Sequence, residues 1–233
     1  MHETIHECVT ACGLKIECIL RTRRFFHDSE IIHFFKSHVL SFIEYRTPGI
    51  YHAAPSTLQP LDSVLFRFLR QLSISPLDAL LHFGLAPLQT RRDIAMLGVI
   101  HRTLLGEGPA QFKEFFRLDV ALPEGSRFIR YRHSRHMYDP CTRPSCPNYM
   151  MRSIVGLIAV YNVLPQCVVG SSTVGAFQRR LHELVKYLAA TGYDEWQRCL
   201  NRSALMRSVL PRVTEQAVRE LGDLLPPVRL SSS

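Results

Sequence analysis

Four side chains able to ligate a metal fall close together: His133, His136, Cys141 and Cys146. Zinc takes four nitrogen or sulfur ligands converging as a tetrahedron, and compact zinc knuckles pair cysteines two to four residues apart. Here both gaps around Cys141 hold four residues, the ligand order is unusual, and Pro140, Pro144 and Pro147 stiffen the chain. The cluster therefore reads as an exposed loop rich in histidine and cysteine, with a small zinc-binding module as the alternative. Pro140-Cys141 does not open a zinc deaminase site, which needs Pro-Cys-x-x-Cys and a suitably placed upstream His-x-Glu. No phosphate-binding glycine loop, nucleophile elbow or His-Glu-x-x-His occurs. No two aspartates are adjacent, so the carboxylates of a two-metal polymerase site are not evident. No catalytic residue and no cofactor is assigned.

Cationic chemistry is the stronger signal. Arg127, Arg130, Arg132 and Arg135 alternate with Phe128, Tyr131 and Tyr138. Guanidinium groups contact phosphates, and aromatic rings stack on unpaired bases. The pattern points to RNA or single-stranded DNA, with Tyr131 as a stacking ring and Arg91 and Arg92 as auxiliary cations. The competing reading is an ordinary basic loop that packs its aromatics inward. Segment 117–152 carries seven arginines against three acids, half of the chain's formal net charge of +8. Such a surplus favours acidic partners and says nothing about fold.

The elements that must position these residues are mostly helical. Val9, Cys12, Ile16, Ile19 and Leu20 share a helical face. Arg21, Arg23 and Arg24 read as a solvated helix end. Asp28 is a good N-cap with Glu30 in the first turn, and Ile31, Phe35, Val39 and Phe42 follow at helical spacing. A third helix is expected from Ser56 or Thr57, which places Pro60 in its first turn. Ser75, Pro76 and Gly84 mark the cap, first residue and left-handed stop of a short helix. Pro87 and Gly106 bound the next, with His101 on its apolar face as a buried, hydrogen-bonded core residue. Ser171 or Ser172 is expected to cap a helix that turns Val174, Phe177, Leu181, Leu184 and Leu188 inward. Shorter helical pieces fill 193–223, with Trp196 as a core anchor. Residues 127–133 read as an imperfect strand.

The expected class is mainly α: helical bundle-like units, a basic irregular middle segment and little β structure. The divisions are 1–116, an N-terminal helical unit; 117–152, a basic connector rich in arginine and proline; 153–225, a C-terminal helical unit; and 226–233, a flexible tail. Apolar residues make up 46%, enough for a core. No secretory signal is visible, and the longest apolar run, 154–161, is far short of the ~20 residues that span a membrane. Seven cysteines, an odd number without a signal, imply reduced thiols in an intracellular compartment.

The order of motifs resembles a known family. "LKIECILRTRRFFHDSEIIHFFKSHVLSFIEYRTPGIYHA" resembles the stretch after the catalytic palm in reverse transcriptases of non-LTR (LINE-type, Jockey-like) retrotransposons. "LQPLDSVLFRFLRQL" resembles that family's next helix, and "LAPLQTRRDIAMLGVIHRTLLGEGP" its Leu-x-x-Arg-Arg helix, here Leu88 to Arg91-Arg92. "YNVLP" resembles its Trp-Asn-x-Leu-Pro, with Tyr161 in place of Trp, and "SSTVGAFQRRLHELV" its following helix. The likeness covers residues 14–188. It implies a thumb-like N-terminal unit and a structural role for Asn162 and Pro165: the first to cap or bridge backbone, the second to stop the preceding element. It does not include the palm, so the parent family's RNA-directed DNA polymerase activity is not implied here. The expected function is a noncatalytic fragment or derivative that binds RNA or DNA. The alternative is a structural remnant whose helices once packed on a polymerase palm.

Overall fold

The computed structural model describes residues 2–118, 133–142 and 145–202. It is mainly helical, and the described residues contain no sheet, only an isolated antiparallel bridge between Leu118 and Met137. The helical pieces expected beyond residue 202 and the tail 226–233 lie outside the described residues. The chain divides into two compact units, residues 1–92 and 93–233.

Unit 1 is built on α1 (His2–Arg21) and α5 (Pro55–Gln71). Ile5, Cys8, Cys12 and Ile19 recur at three- and four-residue steps, so α1 buries one stripe. The same core receives Leu58, Leu61, Val64, Leu65, Phe68 and Leu69 of α5. Between them run α2 (Asp28–Phe35), a π turn (Lys36–Leu40), α3 (Ser41–Glu44) and α4 (Thr47–Ile50). Phe35 stacks on Phe68 with ring centroids 4.2 Å apart. The N-cap of α2 is His27, one residue earlier than the sequence suggests, and Glu30 reaches back to accept from the His27 N–H at 2.9 Å. Helix α5 also starts early, at Pro55, so Pro60 lies inside the helix rather than in its first turn.

Helix α6 (Pro76–Phe83) begins and ends as its residues dictate. The Ser75 hydroxyl accepts from the Asp78 N–H at 3.0 Å, and Gly84 closes the helix at φ 63°.

The unit boundary falls inside α7 (Leu88–Leu104), at Arg92/Asp93, rather than after residue 116. Unit 2 continues with a 3-10 turn (Ala110–Glu114), α8 (Asn148–Arg152), α9 (Ile158–Asn162), α10 (Gln166–Val169) and α11 (Val174–Ala190). Leu97, Ile100, Ile158, Val160, Phe177, Leu181, Leu184, Val185, Leu188, Trp196 and Leu200 are buried here. The cap of α11 is Thr173, whose hydroxyl accepts from the Ala176 N–H; Ser171 is buried and donates instead to the Val168 carbonyl. Of the region expected as a connector, residues 133–142 are fastened to the end of α9 and the start of α10 by the side chains of Asn162 and Gln166.

Gly156 is a point of close approach. A Cβ there would sit on the backbone of Met151. Gly156→Ala should destabilise unit 2 by about 1–3 kcal/mol, the usual cost of overpacking a site that cannot yield. Trp196 is the chain's single tryptophan and is buried in this unit, so its fluorescence during thermal unfolding reads the effect directly.

Candidate functional site

The polar residues of unit 2 converge on Tyr161-Asn162. Tyr161 is fully buried, and burial pushes its phenol upward, so the hydroxyl stays protonated and can donate. It lies 2.9 Å from His101 Nδ1, while His101 Nε2 lies 3.1 Å from the Ser171 carbonyl. One tautomer suits both: Nε2–H donates to Ser171, and Nδ1 accepts from Tyr161. Phe177 stacks on the imidazole at 4.1 Å. Burial, aided by the Arg135 cation and opposed by the Ser171 bond, lowers the pKa of His101 to about 4. The ring is neutral at pH 7, as the sequence reading of a hydrogen-bonded core histidine requires.

Residues 133–142 lie against this network. Asn162 Oδ1 accepts from the Met137 N–H at 2.9 Å, and Asn162 Nδ2 donates to the Met137 carbonyl at 2.7 Å. The side chain thus satisfies both backbone groups of one buried residue, as an adjacent strand would. Gln166 does the same for Ser134: its Oε1 accepts from the backbone N–H at 2.9 Å and its Nε2 donates to the hydroxyl at 3.1 Å. Arg202 fastens the far end, donating to Asp139 Oδ2 at 3.1 Å and to the carbonyls of Cys141 and Gly156. Pro165 ends the preceding turn in extended geometry and caps α10.

The four possible metal ligands are placed differently from a zinc knuckle. His133 is buried; its Nε2 donates to the Tyr161 carbonyl at 3.0 Å and its Nδ1 accepts from the Arg135 N–H at 3.1 Å. Both ring nitrogens are occupied by backbone, and burial, opposed by the Tyr161 bond, lowers its pKa to about 4, with His136 and Arg135 adding to the fall. The His133 and His136 rings stand 6.2 Å apart. Cys141 is buried, and burial together with Cys146 and Asp139 pushes its thiol up to about 12. Cys146 donates to the Pro147 carbonyl at 3.8 Å. Among the described residues no three histidines, cysteines or acids are grouped to hold a metal ion.

The arginines separate into two sets. Arg135 is half-buried, and its guanidinium donates to the carbonyls of Val169 at 2.6 Å and Ser171 at 3.2 Å. It braces unit 2 and does not point freely outward. Arg92 is 4% exposed and meets Asp62 through two bonds of 2.6 and 3.0 Å, a bidentate pair. Arg91 meets Glu44 at 2.5 Å. These three cations therefore already have protein partners in place of phosphate. Arg127, Arg130, Arg132 and Tyr131 lie outside the described residues. The sequence leads us to expect that Asn162 caps or bridges backbone but does not identify Met137 as its partner, and it gives no sign of the clamp by Gln166 on Ser134, because nothing local marks a partner 25 or 32 residues away.

No helix among the described residues is long and apolar enough to cross a membrane. No model of a known protein family, no curated protein and no solved structure matches the chain.

Proposed function

We propose that this chain is a noncatalytic, intracellular nucleic-acid-binding module related to the post-palm region of a non-LTR retrotransposon reverse transcriptase. RNA or single-stranded DNA is its partner, and Arg127, Arg130 and Arg132 make the phosphate contacts. The observation that supports this reading is the bridge between Leu118 and Met137, with Tyr138 N–H donating to the Arg117 carbonyl at 3.2 Å. It pairs the residues that flank, in sequence, the segment containing Arg127, Arg130 and Arg132. The internal engagement of Arg135, Arg91 and Arg92 concentrates the reading on the other three arginines.

Binding should be salt-sensitive and nearly independent of sequence. Each phosphate contact on a single strand contributes about −0.7 to the slope of log K against log salt. Replacing Arg127, Arg130 and Arg132 with alanine should flatten that slope by up to roughly 2 units. A salt titration of both proteins on a labelled single-stranded oligonucleotide checks this, and an unchanged slope removes these arginines from the interface.

The alternative reading is a structural remnant whose helices once packed on a polymerase palm, a contact that would leave a contiguous exposed apolar face on the order of a few hundred Å². Wild-type protein that binds no oligonucleotide at low salt would leave that reading in place.

A further inference from the structure

We infer that Cys141 and Cys146 form a thiol–disulfide exchange site, a pair that closes into an internal disulfide at the expense of a small-molecule disulfide of the glutathione type. The inference is independent of the nucleic-acid reading above and gives a role to two residues which that reading leaves unused.

All seven cysteines are free thiols. Cys141 lies in the 3-10 turn Pro140–Thr142, and Cys146 immediately precedes Pro147, the N-cap of α8. The Cys141 thiol donates to the Cys146 sulfur, and Cys146 donates onward to the Pro147 carbonyl at 3.8 Å. The two side chains therefore already point at each other, as an internal disulfide needs. The backbone of Cys141 is fixed on both sides. Its N–H donates to Asp139 Oδ1 at 2.8 Å, and its carbonyl accepts from Arg202 at 3.1 Å. Cys8 and Cys12 also meet through a thiol hydrogen bond, but both are buried in the core of unit 1, so a bulky disulfide cannot reach either. At the second pair burial is unequal: Cys141 is sealed and Cys146 is half-buried. An incoming disulfide meets Cys146 first.

That inequality orders the chemistry. The Cys146 thiolate attacks one sulfur of glutathione disulfide; the S–S bond breaks, one glutathione thiolate leaves, and a mixed disulfide remains on Cys146. Cys141 then gives its proton to water and attacks the Cys146 sulfur, and the second glutathione thiolate leaves. Two protein thiols are oxidised, one disulfide is reduced, and the protons lost by the protein end on the two glutathione thiols. Burial first, then Cys146 and Asp139, hold the proton on Cys141 at rest, while the Arg202 cation opposes them. Capping Cys146 removes its share and leaves Arg202 in place, so the resolving step is eased only after the first step has occurred. In a reducing compartment the pair rests as the dithiol and closes when the poise turns oxidising.

The experiment equilibrates the full chain at neutral pH with glutathione buffers of graded ratio, quenches with an alkylating agent and digests with trypsin. Pro144 follows Arg143, so trypsin leaves Cys141 and Cys146 in one peptide, residues 136–152. Closure is read as this peptide escaping alkylation and losing two hydrogens. A synthetic peptide of the same sequence measures what spacing alone gives. The folded chain should favour the closed form about tenfold more than the peptide does, a potential roughly 30 mV more negative. Cys146→Ser should leave Cys141 without a glutathione adduct, and Cys141→Ser should stop at the mixed disulfide on Cys146. Trp196 fluorescence establishes that each protein is folded, and if a variant is not, the wild-type comparison decides alone. A folded chain that closes no more readily than the peptide, or that accumulates the mixed disulfide without closing, overturns the exchange site.

Discussion

Acidification from pH 7 to pH 4 should remove most of the stability of unit 2. His101 and His133 are buried and neutral, each with a pKa of about 4 against an ordinary value of 6.5. Below pH 6.5 the unfolded chain takes up two protons that the folded chain refuses. Stability is therefore full above pH 6.5 and falls as pH drops toward 4. The gap for each ring corresponds to about 3 kcal/mol, so the two together approach the total stability of a typical domain. Arg135 stands near both rings and resists their protonation in the folded state. Denaturant titrations followed by Trp196 fluorescence at several pH values should give a slope of two protons through this window. His133→Gln should reduce the slope to one. A slope of zero would mean that the rings charge freely in the folded protein, and the buried network would have to be withdrawn.

Asn162→Ala should cost unit 2 about 2–5 kcal/mol. The substitution deletes two hydrogen bonds and strands the N–H and the carbonyl of Met137, which is fully buried. An unsatisfied buried polar group costs about 1–3 kcal/mol, more than the net value of the bond itself. Asn162→Asp keeps the acceptor for the Met137 N–H but sets a carboxylate against its carbonyl, so it should be no better tolerated. Alongside the lowered denaturation midpoint, trypsin should cut after Arg135, whose guanidinium is otherwise held by the Val169 and Ser171 carbonyls. Loss of less than 1 kcal/mol with no new cleavage would show that water or a shifted backbone replaces the clamp.

Local chemistry was legible where it is self-contained. Ser75, Pro76 and Gly84 announce both ends of α6, because a cap, a fixed φ and a left-handed stop each act within four residues. The apolar stripes of α1, α5 and α11 emerge from spacing alone. The π turn at Lys36–Leu40 did not. It widens one turn; Ile43 is fully buried there while Phe42 packs against the core partly buried, and no residue type signals the π turn. The polar network of unit 2 was legible only in part. His101 reads as buried from its helical face, but its partners at Tyr161 and Ser171 lie 60 and 70 residues on. Arg135 and Arg92 share the composition of surface arginines; only the position of backbone carbonyls and of Asp62 turns them inward.

The spread of these partners along the chain orders events during synthesis. The core of unit 1 is complete in sequence by Leu88, so its helices can close on one another as soon as that residue has emerged. Helix α7 emerges next with the His101 face uncovered, and its cover comes from Tyr161, Ser171 and Phe177. At roughly 5–20 residues per second, the 70 residues between His101 and Ser171 take about 4–14 s to appear. Throughout that interval a nascent apolar surface faces the translation apparatus and its chaperones. The buried network of unit 2 cannot close from its first residues alone; it waits for Tyr161, Ser171 and Phe177.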